Sequence, residues 1–154
     1  MTVQRVLDMT MAVRRDILVH AERDRPRECC GLLAGRGRRV HAALPMRNVA
    51  RGTRRFRMDD AEHIAVRRVL RQVAPGLAII GAYHSHPGGP AWPSTTDIAE
   101  AHYPEWTHVI VGLGARRPVV RAFRIQDGAV RPVRLRYHPA RPRGATPRAS
   151  SASR

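Results

Sequence analysis

The sequence contains no lysine, so all 28 of its basic residues are arginines. Set against 12 acidic residues, they give a formal net charge of +16. A charge this positive raises the question of a nucleic acid or another acidic partner. The arginines are spread along the whole chain, however, which favours a biased composition and a solvated surface over a dedicated nucleic-acid site. The charge is also compatible with acidic protein partners.

Cysteine is scarce, and long apolar runs are missing. Cys29 and Cys30 are adjacent in sequence. Neighbouring cysteines rarely bridge each other, so a disulfide framework is not indicated. No apolar run approaches the ~20 residues of a membrane-spanning helix. Residues 1–7 lack the apolar segment of a signal peptide. We therefore expect a cytoplasmic protein with no membrane partner.

The length and the C-terminal composition predict one domain with a tail. The 154 residues suit a single domain with a modest core. From His138 onward the chain consists largely of Pro, Arg, Ala and Ser without an apolar period. Such a segment cannot bury enough apolar surface to fold. We expect a domain at residues 1–137 and a disordered tail at residues 138–154, as a monomer or a homodimer.

Apolar periodicity and turn residues predict the secondary structure. Asp59 and Glu62 have the spacing of a capping box at the start of the second helix. Val66, Val69, Leu70 and Val73 are predicted to share the apolar face of that helix. The patterns predict an edge strand at 2–7, a helix from a Thr10 cap to about Arg23, strands before and after a turn at 35–37, a short strand at 54–58, a buried strand at 77–83, and strands at 107–113, 118–125 and 129–137.

The stretch from Tyr83 to Asp97 reads Tyr-His-Ser-His-Pro-Gly-Gly-Pro-Ala-Trp-Pro-Ser-Thr-Thr-Asp. His84 and His86 are two residues apart at the end of the predicted strand, so both imidazoles project to the same side. Ser94 is predicted to cap a short helix, and Asp97 lies on the same side of its first turn. If the Gly- and Pro-rich loop folds back, two imidazoles and one carboxylate meet at one point.

Two neutral histidines and an aspartate suit one zinc ion. Three protein ligands leave the fourth tetrahedral position for water, as in catalytic zinc sites. Each half of the pattern has a plainer interpretation, because His-x-His is often polar surface and Ser-x-x-Asp is most often a helix cap. The joint pattern, His-x-His-Pro, six residues and Ser-x-x-Asp, is much rarer by chance and favours a metal site.

Glu28 stands at the mouth of the strand predicted before residues 35–37. By itself it is best interpreted as an ordinary surface carboxylate. Beside a zinc-bound water it would be a general base, which takes the proton of the water and passes it to a leaving amine. Cys29 and Cys30 are predicted to be small core residues rather than ligands or nucleophiles, since nothing nearby completes a thiolate site.

Two segments, Glu28-Cys-Cys-Gly-Leu-Leu-Ala-Gly35 and the stretch from Tyr83 to Asp97, resemble the JAMM (MPN-plus) zinc metallopeptidases. Three shorter segments are similar to the small bacterial branch of that family. Some members of the branch remove an amino acid from the C-terminus of a ubiquitin-like sulfur-carrier protein. The three segments are Pro45-Met-Arg-Asn48, Phe56-Arg-Met-Asp59 and Phe123-Arg-Ile-Gln-Asp-Gly-Ala-Val130.

The resemblance implies a fold, a cofactor and a set of roles. The implied fold is an α/β, three-layer α/β/α sandwich around a mixed β-sheet, with the layering that cytidine deaminases also have. The implied cofactor is one zinc ion, with His84, His86 and Asp97 as ligands. Glu28 would be the general base, and Ser94 would steady the oxyanion of the tetrahedral intermediate.

The resulting hypothesis is a metallopeptidase that hydrolyses a peptide or isopeptide bond after the C-terminal Gly-Gly of a ubiquitin-like or sulfur-carrier protein. Only 55 residues separate Glu28 from His84 (84 − 28 − 1), which leaves little room for the insertions of polyubiquitin-selective relatives. The carrier, the residue removed and the pathway are left open.

Two alternative functions are left open, and a third is not supported by the sequence. A nucleic-acid-associated member of the family is slightly favoured by the charge, because a DNA-repair-associated bacterial family shares the His-x-His-Pro and Ser-x-x-Asp signature. A non-catalytic scaffold is disfavoured, because such relatives usually lack ligands that this chain retains. A zinc deaminase would need His-x-Glu and Pro-Cys-x-x-Cys, and the sequence has neither.

Overall fold

Residues 5–139 form seven strands and three helices in the computed structural model, which describes this part of the chain. The predicted tail lies outside the described residues from position 140 onward, so its disorder stays a prediction. The last strand runs one residue past the predicted domain boundary. The elements are β1 (Val6–Thr10), α1 (Met11–Arg23), β2 (Cys30–Arg36), β3 (Arg39–Met46), α2 (Asp60–Val73), β4 (Ala78–His86), α3 (Thr95–Ala99), β5 (Thr107–Gly112), β6 (Val119–Gln126) and β7 (Ala129–His138).

The strands form one mixed sheet in the order β1-β3-β2-β4-β5-β6-β7. β1 pairs parallel with β3 and with β7, which closes the sheet into a barrel. β4 and β5 are also parallel, whereas the other neighbouring strands are antiparallel. The mixed sheet confirms the predicted fold class. Closure of the sheet was not predicted.

The helices cover two faces of this sheet. On α1, Val13, Ile17 and Ala21 are buried in a cluster to which all seven strands contribute. Because every strand reaches this cluster, α1 lies against the concave side. Successive residues of a strand point to opposite faces. Accordingly, Leu33 of β2 joins the α1 cluster, while Leu32 lies in a second cluster against which α2 packs. None of the helices in residues 5–139 has both the length and the apolar character that crossing a lipid bilayer requires.

The helix starts follow the predicted caps with one difference. The Thr10 hydroxyl accepts a hydrogen bond from the Val13 amide at 3.2 Å, and the Asp59 carboxylate accepts one from the Glu62 amide at 2.9 Å. The predicted capping box at α2 is wrong, however. The Glu62 carboxylate accepts the backbone N–H of Arg47 at 2.8 Å, so it serves the preceding loop rather than its own helix.

The predicted edge strand at residues 2–7 begins outside the described residues, and its assignment as an edge is wrong. β1 covers Val6–Thr10 and has a partner on each side. The predicted strand at residues 54–58 is reduced to a single bridge between Asn48 and Met58. Both errors arise because strand pairing is decided by distant segments, which a local pattern does not contain.

The apolar face predicted for α2 is only partly covered. Val66 packs against the second core cluster, but Val69 and Val73 are 52% and 73% exposed. The curved sheet meets the helix along a narrower stripe than the periodicity indicates. Val69 and Val73 thus belong to a part of this apolar face that the rest of the described structure leaves exposed.

Asp8 is a buried carboxylate at the seam where β1 closes the barrel. Arg136 of β7 donates to its Oδ2 at 3.0 Å, His138 Nε2 lies 3.1 Å from Oδ1, and Arg38 Nε lies 3.3 Å from Oδ2. The hydrogen bonds from Arg136, assisted by His138 and the nearby guanidinium charges, outweigh burial and hold the pKa of Asp8 well below its usual range.

We expect Asp8→Asn to lower the free energy of unfolding at neutral pH by about 1–3 kcal/mol, the range for a buried hydrogen bond to a charged group. The native pKa lies below the unfolded value of ~3.9, so this contribution is present above that pH and decreases as the pH falls below it. Urea unfolding of both proteins at about pH 7 and about pH 3 measures it. An equal difference at both pH values would contradict the assignment.

Candidate metal centre

His84 and His86 lie on one side of β4 at its C-terminal end, and Asp97 faces them from α3. The two Nε2 atoms are 3.1 Å apart, and each lies 3.2 Å from Asp97 Oδ2. The three atoms therefore form a nearly equilateral triangle. The structure thus brings together the two imidazoles and the carboxylate that the spacing predicted would meet.

The loop between β4 and α3 fixes this arrangement. His86 Nδ1 donates a hydrogen bond to the Pro90 carbonyl at 2.9 Å, so in the neutral imidazole the lone pair lies on Nε2 and is directed at the triangle. The loop packs directly on β5. A Cβ atom at Gly112 would lie 2.4 Å from the Ala91 backbone nitrogen, so only glycine allows this close approach.

Ser94 and Asp97 form the reciprocal capping box of α3. The Ser94 hydroxyl oxygen accepts the Asp97 amide at 3.1 Å, and Asp97 Oδ2 accepts the Ser94 amide at 2.8 Å. Asp97, which was predicted to be a metal ligand, is therefore also part of the predicted helix cap. The cap holds Oδ2 in place at the triangle, and it leaves the hydroxyl proton of Ser94 free to donate elsewhere.

Hydrogen bonds within the triangle stabilise the charged forms of its side chains. Burial by itself would raise the pKa of Asp97, but hydrogen bonds to His84 and His86 outweigh it and hold this pKa far below its usual range. Burial would likewise lower the pKa of His86, but the hydrogen bonds to Asp97 and to the Pro90 carbonyl raise it instead. Asp97 is consequently an ionised carboxylate next to two imidazoles.

The donor set fits a tetrahedral metal ion. Two imidazole nitrogens and a carboxylate oxygen are common zinc ligands, with bonds of ~2.0–2.1 Å. In a tetrahedron, bonds of that length place ligand atoms roughly 3.3–3.4 Å apart. The observed separations of 3.1 and 3.2 Å are close to this value. His84, His86 and Asp97 could therefore hold a metal ion with little rearrangement.

Glu28 lies beside the triangle because β2 and β4 are paired. Cys30 is the register partner of His84. The Cys29 amide donates to the Ser85 hydroxyl at 2.8 Å, and the Ser85 amide donates to the Cys29 carbonyl at 3.2 Å. Glu28 itself is buried. Burial raises its pKa to about 7, with His86 lowering it and Asp97 raising it. A carboxyl with this pKa can take up and release a proton near neutral pH.

Buried residues of the core pack around the segment that follows Glu28. Cys29 and Cys30 are buried and unbridged, and burial raises the pKa values of their thiols to about 11 and about 12. Their prediction as core residues is confirmed. Gly31 lies under the Tyr83 ring, where a Cβ atom would be 2.2 Å from Cε1. The Tyr83 hydroxyl is 2.7 Å from Nδ1 of the buried His20.

Two residues that the sequence analysis did not single out position the site. The Asn48 side-chain amide donates to the Glu28 carbonyl at 2.9 Å and to the Arg55 carbonyl at 3.0 Å. The ring of Phe56 stacks on His84 with a centroid distance of 4.5 Å. The available signal was the resemblance of segments 45–48 and 56–59 to the bacterial branch, which indicates a family but assigns no contact.

A cavity of about 810 Å³ opens next to the triangle, on the side of Phe56 and Ala82. Its far wall contains Tyr103 and Trp106, whose rings stack at 3.9 Å. The Arg67 guanidinium lies 5.6 Å from the centroid of the Trp106 ring. Arg51, Arg55 and Arg57 also line the cavity, which therefore combines aromatic rings with cationic groups.

We expect Asn48→Ala to release the loop of residues 49–57, because the substitution removes its bonds to Glu28 and Arg55 and the acceptor of the Ala50 and Arg57 amides. Backbone amides in the loop should exchange roughly tenfold faster or more, as one or two lost hydrogen bonds imply. Hydrogen exchange read by mass spectrometry measures this, with the exposed Thr53→Ala as control. Unchanged exchange in Asn48→Ala would show that other contacts hold the loop.

Comparison with solved structures identifies a shared fold. A solution structure of a Desulfitobacterium hafniense protein superposes with a TM-score of 0.80 and 29% identity, covering 87% of this chain and 94% of that one. A crystal structure of a JAB1/MPN domain protein from Archaeoglobus fulgidus matches with a TM-score of 0.57 and 17% identity, over 84% of this chain and 98% of that one. The second likeness concerns the fold alone.

Comparison of sequences identifies the family. The CysO-cysteine peptidase of Mycobacterium tuberculosis strain H37Rv is 35% identical over 127 residues, which are 78% of this chain and 86% of that protein. A probable TtuB-protein conjugate cleaving protease of Thermus thermophilus is 35% identical over 124 residues, 80% of this chain and 78% of that protein. Residues 10–126 match the family model Prok-JAB. The chain therefore belongs to the prokaryotic homologs of the JAB domain, and the resemblance to the JAMM (MPN-plus) group is confirmed.

Proposed function

We propose that this protein is a zinc-dependent metallopeptidase that hydrolyses the peptide or isopeptide bond after the C-terminal Gly-Gly of a ubiquitin-like or sulfur-carrier protein. The observation that carries the proposal is the triangle of His84, His86 and Asp97 donor atoms beside the buried Glu28. Two relatives bear the names of a CysO-cysteine peptidase and a TtuB-protein conjugate cleaving protease, which supports a protein conjugate as substrate.

The three residues of the triangle would hold one zinc ion. When bound there, zinc supplies a positive charge that acidifies a water molecule toward a pKa of ~7 and polarises a carbonyl group. The chain prepares this position in two ways. The Ser94 amide orients Asp97 Oδ2, and the Pro90 carbonyl fixes the tautomer of His86.

Glu28 is the proton carrier of the reaction. Its carboxylate accepts the proton of the attacking water and then delivers it to the amine that leaves, so that one group acts first as base and then as acid. The pKa of about 7 suits both directions, because neither protonation state is strongly favoured near neutral pH. Burial, the main cause of this pKa, also excludes competing solvent protons.

Ser94 stabilises the negative oxygen that develops on the scissile carbonyl. Its hydroxyl oxygen is occupied as the acceptor of the Asp97 amide, and its proton is therefore available as a donor. A donor whose position is fixed by a helix cap needs no reorganisation when charge develops, and this is the condition for electrostatic stabilisation of a transition state.

The test is an intact-mass assay on a sulfur-carrier protein extended by one residue beyond its Gly-Gly end. Zinc-loaded wild type should remove the extension, and Glu28→Gln should be slower by on the order of 10²–10⁴, the range for loss of a general base. Zinc content is measured for both, and for His84→Ala, which should lose the metal. Retained activity in Glu28→Gln would remove Glu28 from the mechanism. No cleavage by zinc-loaded wild type, across several carriers and extensions, would overturn the proposed function.

The role of Ser94 is separated from its cap by two substitutions. Ser94→Ala removes both the hydroxyl and the cap, which contributes ~1 kcal/mol, whereas Ser94→Gly removes the hydroxyl but costs the helix only a few tenths of a kcal/mol. We expect both to lose on the order of 10²–10³ in kcat, the range for one oxyanion donor. Thermal unfolding of the same variants measures the cap. A kcat loss that follows the stability loss would assign Ser94 to structure alone.

A further inference from the structure

The loop between β3 and α2 is enriched in positive charge. Residues 47–58, here called the arginine loop, contain five arginines among twelve residues and no acidic residue. The whole chain has 28 arginines among 154 residues, less than half that density. The arginines of the loop are Arg47, Arg51, Arg54, Arg55 and Arg57.

The arginine loop is fixed to the candidate metal centre. The Asn48 side chain bonds the Glu28 carbonyl, and Phe56 stacks on His84. From the opposite side, the Arg27 guanidinium donates to the Asn48 carbonyl at 3.1 Å and to the Ala50 carbonyl at 2.6 Å. A molecule that binds the loop is therefore held at a defined position relative to Glu28 and His84.

Arg47 is held by an ion pair with Asp59 at 2.7 Å, but the other four arginines of the loop are available to a partner. Arg51, Arg55 and Arg57 line the cavity beside the metal centre. Arg55 contacts Glu100 at 3.4 Å and Arg57 contacts Asp60 at 3.2 Å, but exposed pairs of this kind contribute little and exchange readily. Within residues 5–139, the exposed Arg51 and Arg54 form no ion pair, so binding a carboxylate would displace no internal partner.

We propose that the arginine loop is a docking surface for an acidic face of the carrier protein, next to the C-terminal tail that enters the metal centre. This inference rests on the proposed function and concerns the folded body of the substrate rather than its tail. Guanidinium groups bind carboxylates through paired hydrogen bonds. Complementary charge at the rim of an interface raises the association rate and selects the partner.

The composition of the surface favours a protein over a nucleic acid. Asp60 and Glu100 stand among the arginines that line the cavity, so the surface alternates in charge, which suits a protein face with individual carboxylates better than a uniformly negative phosphate backbone. Apolar groups also line the cavity between the arginines, among them the 41% exposed Val49 and the half-buried Phe56. Arginine mixed with aromatic and apolar side chains is typical of protein interfaces.

The test compares two charge reversals of equal size. Arg51→Glu with Arg54→Glu changes the proposed surface. Arg131→Glu with Arg71→Glu is the matched control, because both residues are exposed and lie away from the metal centre, on β7, which is not next to β4, and in the last turn of α2. Each variant is assayed on the extended carrier protein and on a short peptide that copies only its C-terminal tail.

We expect the loop reversal to lower kcat/KM for the extended carrier by about tenfold to a hundredfold, through KM, with a much smaller change for the peptide. The control should match wild type on both substrates. Wild-type kcat/KM for the carrier should also fall between about 50 mM and about 500 mM salt, and that of the loop reversal should fall less. Equal losses on carrier and peptide, or equal losses in the control, would overturn the docking surface.

Measuring the affinity for the carrier protein distinguishes an error in the docking surface from an error in the proposed function. The affinity of the carrier is measured for zinc-loaded Glu28→Gln with and without each charge reversal. If wild type cleaves neither substrate, the proposed function fails, and weaker carrier binding confined to the loop reversal still supports the surface. Carrier binding that the loop reversal leaves unchanged overturns it. So does loop-dependent binding of a labelled DNA duplex in the absence of any carrier binding.

Discussion

The antiparallel register between β2 and β4 is the constraint on which the site depends. It sets Cys30 opposite His84, and so brings Glu28 to the two histidines although 55 residues separate them in sequence (84 − 28 − 1). A shift of one residue would turn His84 and His86 to the other face of the sheet. Two features stabilise the register. β2 is almost wholly buried, and the Ser85 hydroxyl of β4 accepts a hydrogen bond from the Cys29 amide, next to the pair formed by Cys30 and His84.

The charged groups near this register fall into two sets, one buried and one exposed. Inside, an ionised Asp97 is stabilised by hydrogen bonds, and Glu28 is poised near neutrality by burial. Outside, Arg51, Arg55 and Arg57 of the arginine loop line the neighbouring cavity. The inner groups act over hydrogen-bond distances and suit chemistry, whereas the outer ones act through solvent and suit partner choice. Asn48 connects the two sets, because its side chain forms hydrogen bonds with the backbone of Glu28 and with the backbone of the arginine loop.

The site was predictable from the sequence where its parts are local. A strand places His84 and His86 on one side, a helix cap brings Ser94 and Asp97 together, and the Pro- and Gly-rich loop between them is short. Their convergence is therefore visible in one stretch of fifteen residues. Glu28 by itself was best interpreted as a surface carboxylate, and its assignment to the site came with the family resemblance. The contacts of Asn48 and Phe56 could not be foreseen, because a loop without periodicity gives no indication of which distant groups its side chains will meet.

The fold was predictable to a similar degree and for similar reasons. Helix α1 and most strands follow from periodicity and turn residues. The partners of β1 and the exposure of Val69 and Val73 do not, since both depend on how the sheet curves. Family resemblance supplied the layered α/β architecture, but closure of the sheet depends on the pairing of its first and last strands.

That closure has an asymmetric seam. Within residues 5–139, β1 is paired with β7 over five residue pairs, whereas its pairing with β3 consists of the single pair Asp8 and Arg39. On the β3 side of the seam, the Asp8 amide donates to the Arg38 carbonyl at 2.8 Å, and the side chains of the same two residues form an ion pair. Opening there would leave the other six strand pairings intact while it uncovered two strand edges. We therefore expect partial unfolding, and any self-association that follows from it, to begin at the β1–β3 junction rather than at the candidate metal centre.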